Sequence, residues 1–232
     1  WSGNGNEQEL LNQRDQVRSA WQAAKRDRPP IWVAGFWYSL AKDAATRLPK
    51  YVYDYVVHSA GDAGAYTFGN FRHGVVPQSR TRLFGFVHIS SIGLAGGLAP
   101  GEMLNIDYAN VEACAKVVAE NADLTLGVKV RMTDSVVGQN GLEPLRRAIR
   151  AAEMAGKQFR VMCHIGSAPG NLSDLLDLLR PGDVLTHAYS GAGNNTVQGG
   201  RVIPAALAAK QRCVIIDVGH GGGSFDYTVA EA

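Results

Sequence analysis

Four short stretches decide the fold: Leu124-Thr-Leu-Gly-Val-Lys129, Phe159-Arg-Val-Met-Cys-His164, Asp183-Val-Leu-Thr-His187 and Cys213-Val-Ile-Ile-Asp217. Each is an apolar, strand-like run that closes on an ionisable residue. Buried strands ending one after another in titratable groups are how an α/β barrel builds a site on one face.

Working outward, Tyr53-Asp-Tyr-Val-Val57 and Leu83-Phe-Gly-Phe-Val-His88 read as two earlier strands, and Ile31-Trp-Val-Ala-Gly-Phe-Trp37 as a candidate first one. Between the strands lie helical patterns. Leu142, Leu145, Ile149 and Ala152 share one face, with Gly156 as C-cap. Leu172, Leu175, Leu176 and Leu179 repeat the pattern, with Asn171 as N-cap and Pro181-Gly182 as the stop. Asp107 to Asn121 reads as a third helix, with Val111, Ala115, Val118 and Ala119 on one face. Runs such as Leu-Phe-Gly-Phe-Val are apolar on both faces, as helix-covered parallel strands must be. Alternating β and α gives a doubly wound sheet or a barrel, and polar groups ending four strands favour the barrel. The fold class expected is a TIM-type (β/α)8 barrel, incomplete in this chain, with about six strand–helix units where eight need roughly 250 residues. Residues 51 to 232 carry it; residues 1 to 50 form an atypical segment beginning with a polar helix.

With 232 residues and 46% hydrophobic content, the chain can bury a substantial core. A net charge of +2 with dispersed basic residues implies no affinity for nucleic acid. Arg146, Arg147 and Arg150 read as a solvated helix face. Three cysteines, an odd count, read as reduced and buried thiols, which points to the cytoplasm. No apolar run approaches the roughly 18 residues of a membrane span, and the first 30 residues lack the apolar core of a signal peptide. The chain begins at Trp1, as a fragment or processed product would.

His164 and His187 stand on consecutive strands, so their neutral imidazoles can meet one metal ion at a shared mouth; the alternative is two histidines hydrogen-bonded at strand ends. Lys129 is costly to bury as an ammonium. It suits a Schiff-base nucleophile or, after reaction with CO₂, an anionic carbamate able to bridge two cations; a pairing with an acidic residue is the plainer alternative. In Asp217-Val-Gly-His-Gly-Gly-Gly-Ser-Phe225, Asp217 can orient His220 or a substrate group. The glycines, Gly221 and Gly222 among them, let backbone amides approach an oxyanion; a capped flexible loop is the alternative. His88 ends an earlier strand and is a candidate lining residue of the same mouth. Ser90, Ser91 and His58 carry weaker signals, and His73 reads as surface.

Taken together, Ser59-Ala-Gly-Asp-Ala-Gly-Ala-Tyr-Thr-Phe68, Phe86-Val-His-Ile-Ser90, Gly127-Val-Lys-Val-Arg131, Asn140-Gly-Leu-Glu-Pro-Leu145, Met162-Cys-His-Ile-Gly166, Leu179-Arg-Pro-Gly-Asp-Val-Leu-Thr-His-Ala-Tyr-Ser-Gly191 and the Asp217 segment resemble the amidohydrolase superfamily, in particular its dihydroorotase-like amidohydrolase/deacetylase branch. The resemblance covers residues 55 to 232. It implies a metallohydrolase that cleaves a C–N bond (amide, N-acyl or cyclic amide) of a small molecule by a metal-activated hydroxide. It implies Lys129 as a carboxylated bridging ligand ending strand four, and His164 and His187 as ligands ending strands five and six. One or two divalent metals follow, zinc before manganese or iron. Asp217 and His220 fall on strand seven, so Asp217 is not the family's strand-eight aspartate. Two departures stand out: this sequence has no His-X-His, and it stops before that aspartate. The partners expected are therefore a small acyl or amide substrate, no nucleic acid and no membrane, with a homo-oligomer compatible. A Schiff-base lyase built on Lys129, and a catalytically incomplete binding protein, are the competing readings.

Overall fold

The computed structural model describes residues 63–79, 82–94, 101–219 and 224–232 in full, the backbones of Val33–Ala34 and Tyr55–His58, and helical positions between 12 and 23 with Lys25 just beyond them. The main sheet contains β1 (Val33–Ala34), β2 (Tyr55–His58), β3 (Leu83–His88), β4 (Thr125–Met132), β5 (Arg160–Ile165) and β6 (Val184–Thr186). A small antiparallel hairpin, β7 (Val197–Gln198) and β8 (Arg201–Val202), precedes the last strand of the sheet, β9 (Ile215–Ile216). The sheet order is β1-β2-β3-β4-β5-β6-β9 and every pairing in it is parallel.

That order separates the two architectures the sequence left open. A doubly wound sheet reverses its strand order at a switch point. Here each strand is added beside its predecessor without reversal, which is the winding of a TIM-type barrel. Helices α1 (Val111–Glu120) and α2 (Glu143–Ala155) cover one face: α1 packs on β3 and β4, and α2 on β4 and β5. Farther along, α3 (Leu172–Leu178) packs against α4 (Pro204–Gln211).

Alternation sorts the side chains. On the helix side of β4 and β5, Val128, Val130, Met132, Val161, Cys163 and Ile165 are buried against Leu145, Ala148, Cys114 and Leu176. The opposite face of the same strands carries Lys129, Arg131, Met162 and His164. Opposite faces follow from a period of two, and parallel register joins equivalent residues into rows. The expectation of strands apolar on both faces fails for β5, whose burial alternates residue by residue. It fails again at Ile215, which is 52% exposed on the last strand of the sheet among the described residues.

The starts of α1 and α3 are fixed by side-chain caps. The Asn110 side chain accepts from the Ala113 N–H, so α1 begins at Val111 rather than Asp107, and Ile106–Tyr108 forms a separate 3₁₀ turn. Asn171 caps α3 by accepting from the Ser173 N–H. Arg147 is no solvated residue: it bonds Glu143 and the carbonyls of Ile106 and Ala109, pinning α2 to the segment before α1. Cys114 and Cys163 are buried, but Cys213 is exposed, because the chain turns there at φ +68 and the strand begins only at Ile215.

Candidate active site

Strand register brings the candidate residues to one mouth. His88 on β3 stands beside Lys129 on β4, and Ile89 donates its N–H to the Lys129 carbonyl. One row nearer the mouth, Arg131, His164 and Thr186 stand side by side on β4, β5 and β6. Asp217 completes that row, accepting a hydrogen bond from the Thr186 hydroxyl. Lys129 does not end its strand: β4 stays paired through Met132, so Arg131 is its last residue on this face. His187 and Asp217 lie one residue past β6 and β9.

The rings of His164 and His187 meet edge to face with centroids 4.3 Å apart. His187 sits at φ +62, a left-handed conformation rare outside glycine. Its Nδ1 bonds the Gly219 carbonyl. A carbonyl only accepts, so Nδ1 carries the proton and Nε2 keeps a free lone pair, the tautomer a metal-ligating histidine needs. Gly219 allows this contact twice over. Its φ is +51, and a Cβ there would collide with the Thr186 hydroxyl and the His187 ring.

His88 is wired the opposite way. Its Nδ1 accepts the Ser90 backbone N–H at 3.0 Å, which leaves the proton on Nε2. That Nε2 is fully buried and has no hydrogen-bond partner among the described residues. His88 is therefore a donor in the mouth and not, in this arrangement, an Nε2 ligand.

Burial sets the charge state of the cluster. It pushes His88 down to about 3 and His187 to about 4, with the Lys129 charge adding in both cases. His164 is held well below the ordinary histidine range, again chiefly by burial. All three imidazoles are neutral at pH 7. Burial also lowers Lys129 to about 8, against the opposing pull of Cys163 and Asp217. No carboxylate forms an ion pair with Lys129 among the described residues, so the plain pairing with an acid is not what keeps it there.

Among the described residues no three His, Cys, Asp or Glu side chains gather as a metal-binding group. The donor set is instead two imidazoles and a lysine. The neutral imidazoles of His164 and His187, the latter with its tautomer fixed, are nitrogen donors that suit a divalent cation.

His220, Gly221 and Gly222, and the side chain of His58, lie outside the described residues. Ser91 donates to the Tyr108 carbonyl, Ser90 is buried with its hydroxyl unpartnered among the described residues, and His73 is exposed. Sequence reading passed over Arg131, Glu102 and Thr186. Arg131 was open to discovery, since it shares Lys129's face two residues on.

No family model matches the chain. It is 34% identical over 177 residues to a deacetylase of Enterococcus faecalis (strain ATCC 700802 / V583), covering 75% of this chain and 47% of that relative. A solved adenine deaminase superposes with a TM-score of 0.76 at 31% identity, over 87% of this chain and 55% of that one. A solved dihydroorotase gives 0.69 at 30%, over 77% and 46%. The stretch that matches is similar to enzymes of the amidohydrolase superfamily. It spans about half the length of the relatives it matches.

Proposed function

We propose that this chain carries part of the site of a metal-dependent hydrolase acting on the C–N bond of an N-acyl or cyclic amide. The observation that supports it most is the edge-to-face pair His164–His187 with the His187 proton tied to the Gly219 carbonyl. Lys129, His164 and His187 would hold one or two divalent cations, zinc by preference for imidazole. When bound, such a cation supplies Lewis acidity toward a carbonyl and toward water.

The chain's own groups do the rest. Lys129, with its pKa near 8, holds a share of free amine at neutral pH. Attack of that amine on CO₂ forms an N–C bond and releases one proton, leaving a carbamate. His88 offers Nε2–H to a substrate oxygen from a site closed to bulk water. Thr186 and Asp217 tie the ends of β6 and β9 together behind the imidazoles. Metal content per chain, measured after expression with zinc and bicarbonate, tests the reading. Tightly held metal should be lost in His164→Ala/His187→Ala, and zinc-loaded chain should deacylate N-acetyl amino acids. Absence of metal from both proteins refutes it.

A Schiff-base lyase is the second reading, favoured by the depressed pKa of Lys129 and by the lack of an ion pair to it among the described residues. It predicts borohydride trapping of a carbonyl compound on Lys129 in metal-free protein. It leaves the fixed tautomer of His187 without a purpose.

A further inference from the structure

Arg131 and Glu102 have no part in the chemistry above, yet both are built into the mouth. Arg131 is the last inward residue of β4 and stands beside His164 in register. It lies on the same face of the strand as Lys129, two residues farther on. Nη1 of Arg131 donates to Oε1 of Glu102 at 2.9 Å, and the Glu102 side chain is only 4% exposed.

The pair is joined at a single point. Among the described residues, Arg131 Nε is buried without a partner, as is Glu102 Oε2. Nη2 has no hydrogen bond among the described residues either, and the arginine side chain is 22% exposed. Leaving buried charged donors unpaired is costly, so the arrangement calls for a ligand. Nε–H and Nη2–H lie on one edge of the planar guanidinium, pointing the same way. That edge is the two-donor fork that matches the two oxygens of a carboxylate. Glu102 holds the opposite corner, fixing the plane of the fork.

We infer that the Nε/Nη2 edge of Arg131 is a carboxylate-recognition site, oriented by Glu102, that selects substrates carrying a carboxylate near the scissile acyl group. An N-acyl amino acid has that layout. Its carboxylate sits one carbon from the amide nitrogen, and the amide N–H can donate to the open Glu102 Oε2. The inference rests on the hydrolase reading for the presence of an acyl group, but its test reads binding alone.

The test is an NMR titration of the purified chain with N-acetylglycine and with N-acetylglycinamide, in the presence of a chelator so that no metal ligates the carboxylate. The wild-type chain should bind N-acetylglycine about tenfold or more tightly than the amide, the scale of a charge-assisted two-point contact. Arg131→Gln should abolish that preference, and Arg131→Lys should keep a reduced one, because a point charge remains without the fork. Equal binding of the two compounds by the wild-type chain overturns the inference with no variant needed, so misfolding of Arg131→Gln cannot shelter it. A preference that survives Arg131→Gln also overturns it, assigning the carboxylate to Lys129 instead. Loss of hydrolysis with the preference intact would sink the hydrolase reading and leave this one standing.

Discussion

Gly219→Ala tests whether the His187 tautomer is set by the backbone. An L-residue held at φ +51 costs about 1–2 kcal/mol. The new Cβ also collides with the Thr186 hydroxyl and the His187 ring, so the Gly219 carbonyl must retreat from Nδ1. Loss of that bond adds about 1 kcal/mol, for a total of about 2–3 kcal/mol. In a chain of this length, 1 kcal/mol moves the melting temperature by about 2–4 °C, so a fall of about 4–12 °C is expected. Zinc affinity should fall a further 10–100-fold, roughly the effect of losing a group that orients a metal-ligating histidine. Thermal melts and zinc competition against a chromophoric chelator measure the two effects separately. Gly193→Ala is the control, since a Cβ there meets nothing within 4 Å. Wild-type melting and wild-type zinc affinity in Gly219→Ala would refute the reasoning, as would an equal loss in the control.

Three further outcomes are expected. Asp183 is fully buried, accepts N–H bonds from Val161 and Arg180, and pairs with the Arg180 guanidinium; Asp183→Ala should cost about 1–3 kcal/mol in urea unfolding, since it leaves the buried Val161 N–H unpaired while the Arg180 guanidinium keeps Glu153. The folded-state pKa of Lys129 lies below its unfolded value of 10.5, near 8. The buried ammonium therefore penalises folding fully below pH 8, and the penalty fades as pH rises from about 8 toward 10. Lys129→Met should accordingly stabilise the metal-free chain by up to about 3 kcal/mol at pH 7 and by little at pH 10, read from urea midpoints at the two pH values. Of the three cysteines, only Cys213 should react promptly with a thiol reagent in native protein; Cys114 and Cys163, buried and pushed up to about 12, should react on unfolding.

The residues legible in the sequence were those whose position is set by local pattern. His164, His187 and Asp217 each follow an apolar run, and a run covered by helices must surface where it turns polar. The caps Asn110, Asn171 and Gly156 are local devices as well, although only the last two were read as such. Legibility stopped where the determinant was distant or directional. Glu102 reaches Arg131 from 29 residues upstream, out of a turn with no periodicity. No local pattern shows that β4 runs beyond Lys129; its pairing with β5 carries the strand on to Met132. The opposite tautomers of His88 and His187 follow from which backbone group faces Nδ1, and no spacing in the sequence encodes that.

The winding of the sheet has a consequence for synthesis. Strands leave the ribosome in the order in which they lie side by side, so each one finds its docking edge already made. His88, Lys129, His164 and His187 arrive in turn, but the Gly219 carbonyl that locks the His187 proton emerges after all of them. A nascent chain can thus fold most of its sheet while its imidazoles are still free to exchange tautomers. Its affinity for zinc should rise sharply only when the segment after β9 has been made.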